Sequence, residues 1–157
     1  ERTMLRRNSC KNTQIAKYVK RRCRRLKATH NSQQQQDTVV LPSGLMYRVL
    51  EPGKGGSPEL KTPCDCHYEG RLATNYPDGP TFDSSYARGQ PTSFAPNQVI
   101  KGWTEAMQLM KVGATWELVC PPEIAYGARA MGSRIPAYSV LVFKMEMIKC
   151  RGVKSEL

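Results

Sequence analysis

Val99-Ile-Lys-Gly-Trp-Thr-Glu-Ala-Met-Gln-Leu-Met-Lys-Val-Gly113 is the stretch on which the reading of this chain turns. Ile100, Trp103, Met107 and Met110 recur at three- and four-residue steps, so they share one face of a short amphipathic helix. Lys111 falls in the last predicted turn and Gly113 follows it, a C-terminal signal. Trp103 is placed oddly, near the start of the helix rather than in its middle. It is either core filler or the floor of a pocket, and the flanking sequence has to decide between them.

On both sides of the helix the pattern changes to short strands punctuated by Gly and Pro. Val39–Leu41 and Leu45–Leu50 come first, then a loop at Pro52-Gly-Lys-Gly-Gly-Ser-Pro58. Pro63–Arg71 contains a strand, Tyr76-Pro-Asp-Gly-Pro80 is a turn, and Thr92–Phe94 is a short strand before the helix. After it come Thr115–Cys120, which Pro121 and Pro122 end, a long loop over Tyr126–Tyr138, and a strand over Ser139–Cys150. Leu141, Phe143, Met145 and Met147 alternate along that last strand and share one face. The sum is an α+β domain, a twisted antiparallel sheet with one modest helix lying across it.

Charge divides the chain. Residues 1–30 hold eleven of the 24 Lys and Arg against a single acid, Glu1, whereas residues 31–157 hold thirteen bases and twelve acids. The formal charge of +11 therefore belongs to the N-terminus and does not mark the whole chain as a nucleic-acid binder. Ile15, Tyr18, Val19, Cys23 and Leu26 form a narrow apolar stripe on a basic helix over residues 9–28, which Asn8 or Ser9 caps. Asn31-Ser-Gln-Gln-Gln-Gln36 reads as a linker. The expected organisation is a basic helical extension and linker over 1–36, a domain over 37–150, and a charged tail over 151–157. The extension is expected to be a solvated stalk with a docking stripe, making at most weak contact with an anionic surface through residues 9–28. No nucleic acid is expected, since Tyr18 is its lone aromatic and stacking needs several.

No run of eighteen apolar residues exists, so no transmembrane helix is expected. The first residue is Glu1 and no apolar signal core follows, so either a leader was removed or the start is artificial. Cysteines stand at 10, 23, 64, 66, 120 and 150, and their spacing selects none of the fifteen possible pairings. Cys64-Asp-Cys-His67 is a poor metal site: both cysteines fall on one strand face and His67 on the other, whereas structural zinc ligands pair across a turn. No metal or cofactor is expected. The C-terminal Lys154-Ser-Glu-Leu157 is one change from a lumenal retention signal. With the six cysteines it favours the secretory pathway, secreted rather than retained, over the cytoplasm.

Seven segments in order resemble one family, the FKBP-type peptidyl-prolyl cis-trans isomerases. They are Cys66-His-Tyr-Glu-Gly70, Thr81-Phe-Asp-Ser-Ser85, Val99-Ile-Lys-Gly-Trp103, Met110-Lys-Val-Gly113, Pro122–Gly127, Ile135-Pro136 and Leu141-Val-Phe143. Leu41-Pro-Ser-Gly-Leu45 behind a helical extension further resembles the macrophage infectivity potentiator branch. The resemblance implies an FKBP-like fold and a catalytic set of Tyr68, Asp83, Ile100, Tyr126 and Phe143. It implies substrate contacts from Phe82, Phe94, Val99, Trp103 and Ile135, with Trp103 as the floor under the proline ring. Met131 and Arg134 depart from the family pattern in the loop that would touch the residue before proline. Its implied partners are proline-containing peptides or proteins and macrolide inhibitors.

Such an activity suits these residue types. Rotation about an X–Pro bond faces a barrier of about 20 kcal/mol and takes tens of seconds unaided. At the barrier top the amide has lost conjugation and its carbonyl carries less charge. A water-poor aromatic cleft therefore penalises the planar form more, with no nucleophile, metal or cofactor. The Tyr126 hydroxyl and the Ile100 N–H are the expected donors to substrate carbonyls, and Asp83 is expected either to orient neighbouring groups such as Tyr68 or to meet the carbonyl edge-on. The rival function is a non-catalytic proline-binding or chaperone module using the same cleft, with the basic arm recruiting partners.

Overall fold

The structure, a computed structural model, describes residues 14–17 and 38–154. Seven strands form one antiparallel sheet among the described residues: β1 (Val39–Val40), β2 (Met46–Glu51), β3 (Cys64–Leu72), β4 (Asp83–Ser84), β5 (Thr92–Phe94), β6 (Thr115–Cys120) and β7 (Leu141–Cys150). Their order is β1-β2-β6-β7-β3-β4, with β5 also paired to β3. β7 buries Phe143, Met145 and Met147 at alternate positions and β3 buries Cys64 and Cys66 likewise, and the two strands pair from Cys64 opposite Cys150 to Leu72 opposite Leu141. One bulge, at Asp65/Cys66, interrupts that ladder.

Across the concave face lies the helix Lys101–Leu109, shorter at both ends than its periodicity suggests. Ile100 is its N-cap and Met110 its C-cap, so Lys111 and Gly113 lie beyond it. Nine residues make a marginal helix in water, so burial of one face holds it. Trp103, Ala106, Met107 and Met110 pack on Leu118, Leu141, Phe143, Met145 and Met147. Gly102 permits that approach, because a Cβ there would stand 2.7 Å from Cys120 Sγ. Loop 41–45 is tied to the same helix through Ser43 Oγ, which donates to Glu105 Oε2 at 2.5 Å.

Cys64 and Cys150, register partners on β3 and β7, form a disulfide across 86 residues. Cys66 and Cys120 are free and buried, and burial pushes the Cys66 thiol up to about 12. The sheet's other face carries a second apolar cluster, Met46, Ala73, Val119, Val140 and Val142, against which Ile15 packs. Gln14 Oε1 accepts the Val140 N–H at 3.1 Å, so this part of the N-terminal segment is docked on the sheet. Residues 14–17 are helical. The remainder of the predicted 9–28 helix, the 31–36 linker, Cys10, Cys23 and residues 155–157 lie outside the described residues.

Candidate functional site

Helix and sheet do not close completely at the N-terminal end of Lys101–Leu109, and the gap is a cavity of about 440 Å³. Trp103 is its floor. The indole, on the first turn of the helix, packs against rings of β3, β5 and β7 and belongs both to the core cluster and to the cavity lining. Phe143 of β7 stands edge-on to it at 4.9 Å, and Tyr68 of β3 edge-on at 5.0 Å. Phe94 of β5 is tilted at 5.3 Å. Phe82, just before β4, meets Phe143 at 5.7 Å and almost perpendicular. Edge-to-face contacts of this kind fix each ring against the next. Gly70 is required here: a Cβ would lie 2.4 Å from Phe82 Cζ and 2.8 Å from Phe143 Cε1. The Trp103 indole N–H has no acceptor among the described residues, so ring packing alone holds it.

Polar groups on the wall are few. Tyr68 hydroxyl donates to Asp83 Oδ2 at 2.7 Å and accepts from Arg88 Nη2 at 2.9 Å. Arg88 Nη1 pairs with Asp83 Oδ1, and Nη2 also reaches Thr92 Oγ1 at 3.3 Å. Burial by itself would raise the Asp83 carboxyl, but the hydrogen bonds from Tyr68 and Arg88 and the Arg88 charge hold it below its ordinary value. Burial, together with the bond to Asp83, raises the Tyr68 hydroxyl. Asp83 is thus an anion held between the Tyr68 hydroxyl and the Arg88 guanidinium.

Two donors on residues that line the cavity are uncommitted. Neither the Tyr126 hydroxyl nor the Ile100 N–H has a hydrogen-bond partner among the described residues. Burial, and then the Asp83 charge, raise the Tyr126 hydroxyl, so it stays protonated at neutral pH. Its backbone is set by the 3-10 turn Pro122–Ile124 before it and by Gly127 N–H bonded to Pro122 O at 2.8 Å. Ile100 closes the short segment after the 3-10 turn Pro96–Gln98, and its carbonyl accepts from Trp103 and Thr104 N–H at 2.9 and 3.0 Å.

Of the twelve residues expected at the site, nine line this cavity: Tyr68, Phe82, Asp83, Phe94, Val99, Ile100, Trp103, Tyr126 and Phe143. The other three lie in the 131–135 turn. Ile135 is 7% exposed and joins the core, Met131 is 44% exposed, and Arg134 is exposed with Nη1 3.2 Å from Phe82 O. Sequence reasoning missed two residues. Gln98 lines the cavity while its Oε1 accepts the Ala95 N–H, and Arg88 anchors Asp83. The spacing Asp83-x-x-x-x-Arg88 was the only available sign, and an acid–base pair five apart in a loop is too common to single out.

Residues 55–148 match the family model described as FKBP-type peptidyl-prolyl cis-trans isomerase. The "Macrophage infectivity potentiator" of Trypanosoma cruzi is 48% identical over 118 residues, 74% of this chain and 58% of that protein. The "FKBP-type 22 kDa peptidyl-prolyl cis-trans isomerase" of Escherichia coli K12 is 48% identical over 107 residues, 68% of this chain and 50% of that protein. The crystal structure of FkpA from Escherichia coli superposes with a TM-score of 0.70 at 33% identity, covering 94% of this chain and 63% of that one. The chain thus spans little more than half the length of these two curated relatives.

Proposed function

The chain belongs to the FKBP-type peptidyl-prolyl cis-trans isomerase family, in its macrophage infectivity potentiator-like branch, and on that premise we propose that it accelerates rotation about X–Pro bonds in peptides and proteins. One observation carries the reading: an aromatic cavity floored by Trp103 with two free donors, the Tyr126 hydroxyl and the Ile100 N–H, at its wall. The proline ring sits on the indole, as an apolar ring sits on an aromatic face. Phe82, Phe94 and Phe143 strip water from the imide, which costs the charged planar carbonyl more than the twisted one. Tyr126 and Ile100 donate to carbonyls of the substrate and hold the chain while the bond turns. Asp83, pinned by Tyr68 and Arg88, keeps the Tyr68 ring edge-on to the floor. No proton moves and no bond forms.

The same cavity is the binding site for FKBP-directed macrolides, which would occupy the proline position. Met131, Arg134 and Ile135 act from outside the cavity wall, through the turn that borders Phe82. The chain works in the secretory pathway, secreted rather than retained in its lumen. Support comes from the Cys64–Cys150 disulfide, a bond that persists in oxidising compartments. No helix among the described residues is long and apolar enough to cross a membrane.

Cis-to-trans relaxation of a short Leu-Pro peptide, with and without such a macrolide, tests the reading. Acceleration that the macrolide abolishes is expected. Macrolide binding with relaxation at the uncatalysed rate would leave a proline-binding module and remove the enzyme.

A further inference from the structure

We propose that Arg134 biases the cleft toward proline segments that carry a carboxylate on a residue next to the proline, an inference that rests on the isomerase reading. The 131–135 turn is closed by Met131 N–H to Ile135 O at 2.8 Å and rooted by the buried Ile135. Arg134 projects from this fixed turn, and its Nη1 donates to the carbonyl of Phe82, a wall residue, at 3.2 Å. The guanidinium is therefore held at the mouth of the cavity rather than waving from a loop. A guanidinium has five N–H donors in a planar fork, and this bond uses one. No acid pairs with Arg134 among the described residues.

Charge at the mouth is one-sided. Asp83 is the sole acid of the cavity wall, and Arg88 already matches it. Lys101, which follows the wall residue Ile100, and Arg129, three residues beyond Tyr126, are exposed and in no ion pair among the described residues. Arg134 is thus the unpaired cation tied to a wall residue, and no unmatched anion lines the cavity. An incoming carboxylate meets the free edge of a preorganised fork, where a charge-assisted hydrogen bond is stronger than a neutral one. A lysine side chain there meets repulsion.

The pair is exposed, so the expected preference is modest, about two- to fivefold in kcat/KM for Glu over Gln at low ionic strength. It should fade in roughly 1 M salt, where the Debye length is about 3 Å. The experiment compares peptides with Leu, Gln, Glu or Lys placed before, and in a second series after, the proline. Each ratio is taken within one protein: the native chain, R134Q, R134K and R134E. The Glu-to-Gln ratio should fall to about one in R134Q, persist in part in R134K, and give way to a Lys preference in R134E. A ratio of one in both series for the native chain overturns the proposal, as does a Glu preference that survives in R134Q. If the Leu and Gln peptides are not accelerated at all, the isomerase reading has failed instead.

Discussion

Replacing Tyr126 by Phe removes one oxygen and tests the division of labour in the cleft. In the free protein that hydroxyl has no partner among the described residues, so folding loses no hydrogen bond when it goes. Stability should then change by no more than about 0.5 kcal/mol, the usual range for an uncommitted site. On the proposed function the hydroxyl donates to a substrate carbonyl, a net contribution of about 0.5–1.5 kcal/mol. At about 1.36 kcal/mol per factor of ten, kcat/KM should fall by about two- to thirteenfold. Tyr68→Phe is the contrasting variant, because that hydroxyl links Asp83 and Arg88 at 2.7 and 2.9 Å. It should lower the melting temperature by a few degrees, about 2–4 °C per kcal/mol in a chain of 157 residues. The assays are peptide isomerisation and thermal unfolding on both variants. An unchanged rate in Tyr126→Phe would remove the hydroxyl from substrate binding. A thousandfold loss would refute the claim that no proton moves, and a melting shift equal to that of Tyr68→Phe would show it already engaged in the free protein.

Cys150→Ser, or reduction, opens a disulfide spanning 86 residues; the expected loss is about 2–4 kcal/mol, a urea midpoint roughly 1–3 M lower, and an unshifted midpoint would show that the ladder of β3 and β7 needs no staple. On pH, kcat/KM should be flat from about pH 5 to 9, since Tyr68 and Tyr126 are raised and Asp83 is lowered, away from that window. The Asp83 contribution to stability is full above its unfolded pKa of about 3.9 and is lost as pH falls through the lower folded value, so activity and melting temperature should drop together below about pH 4. An activity midpoint near pH 6–7 would contradict that assignment.

The site residues were legible through the family resemblance, whereas periodicity by itself oriented only those on the helix and on the last strand. Phe143 lies on an alternating strand and Trp103 on a helical stripe, and the structure sets Phe143 at 4.9 Å and Tyr68 at 5.0 Å from the Trp103 ring. Ile100 was read onto the helix face because its spacing fits a 3.6 period; it is instead the cap, and that places it at the wall. The strand Asp83–Ser84 was not foreseen, since two residues carry no period, and it exists only as a partner to Glu69 and Gly70. Arg88 was missed for a related reason: its significance is a distance to Asp83 and Tyr68, not a pattern.

By itself, then, the sequence determined the alternating strands, the amphipathic helix and the concentration of positive charge in residues 1–30, because each depends on neighbours along the chain. Tertiary structure alone decided which cysteines pair, since only the β3–β7 register sets Cys64 opposite Cys150. It decided that Ile15 meets the sheet's other face, that Ile135 enters the core while exposed Arg134 reaches the Phe82 carbonyl, and that Asp83 is matched by Arg88. Those are contacts between segments distant in sequence or folded back on themselves, where local propensity is silent and register, packing and charge proximity choose the partner.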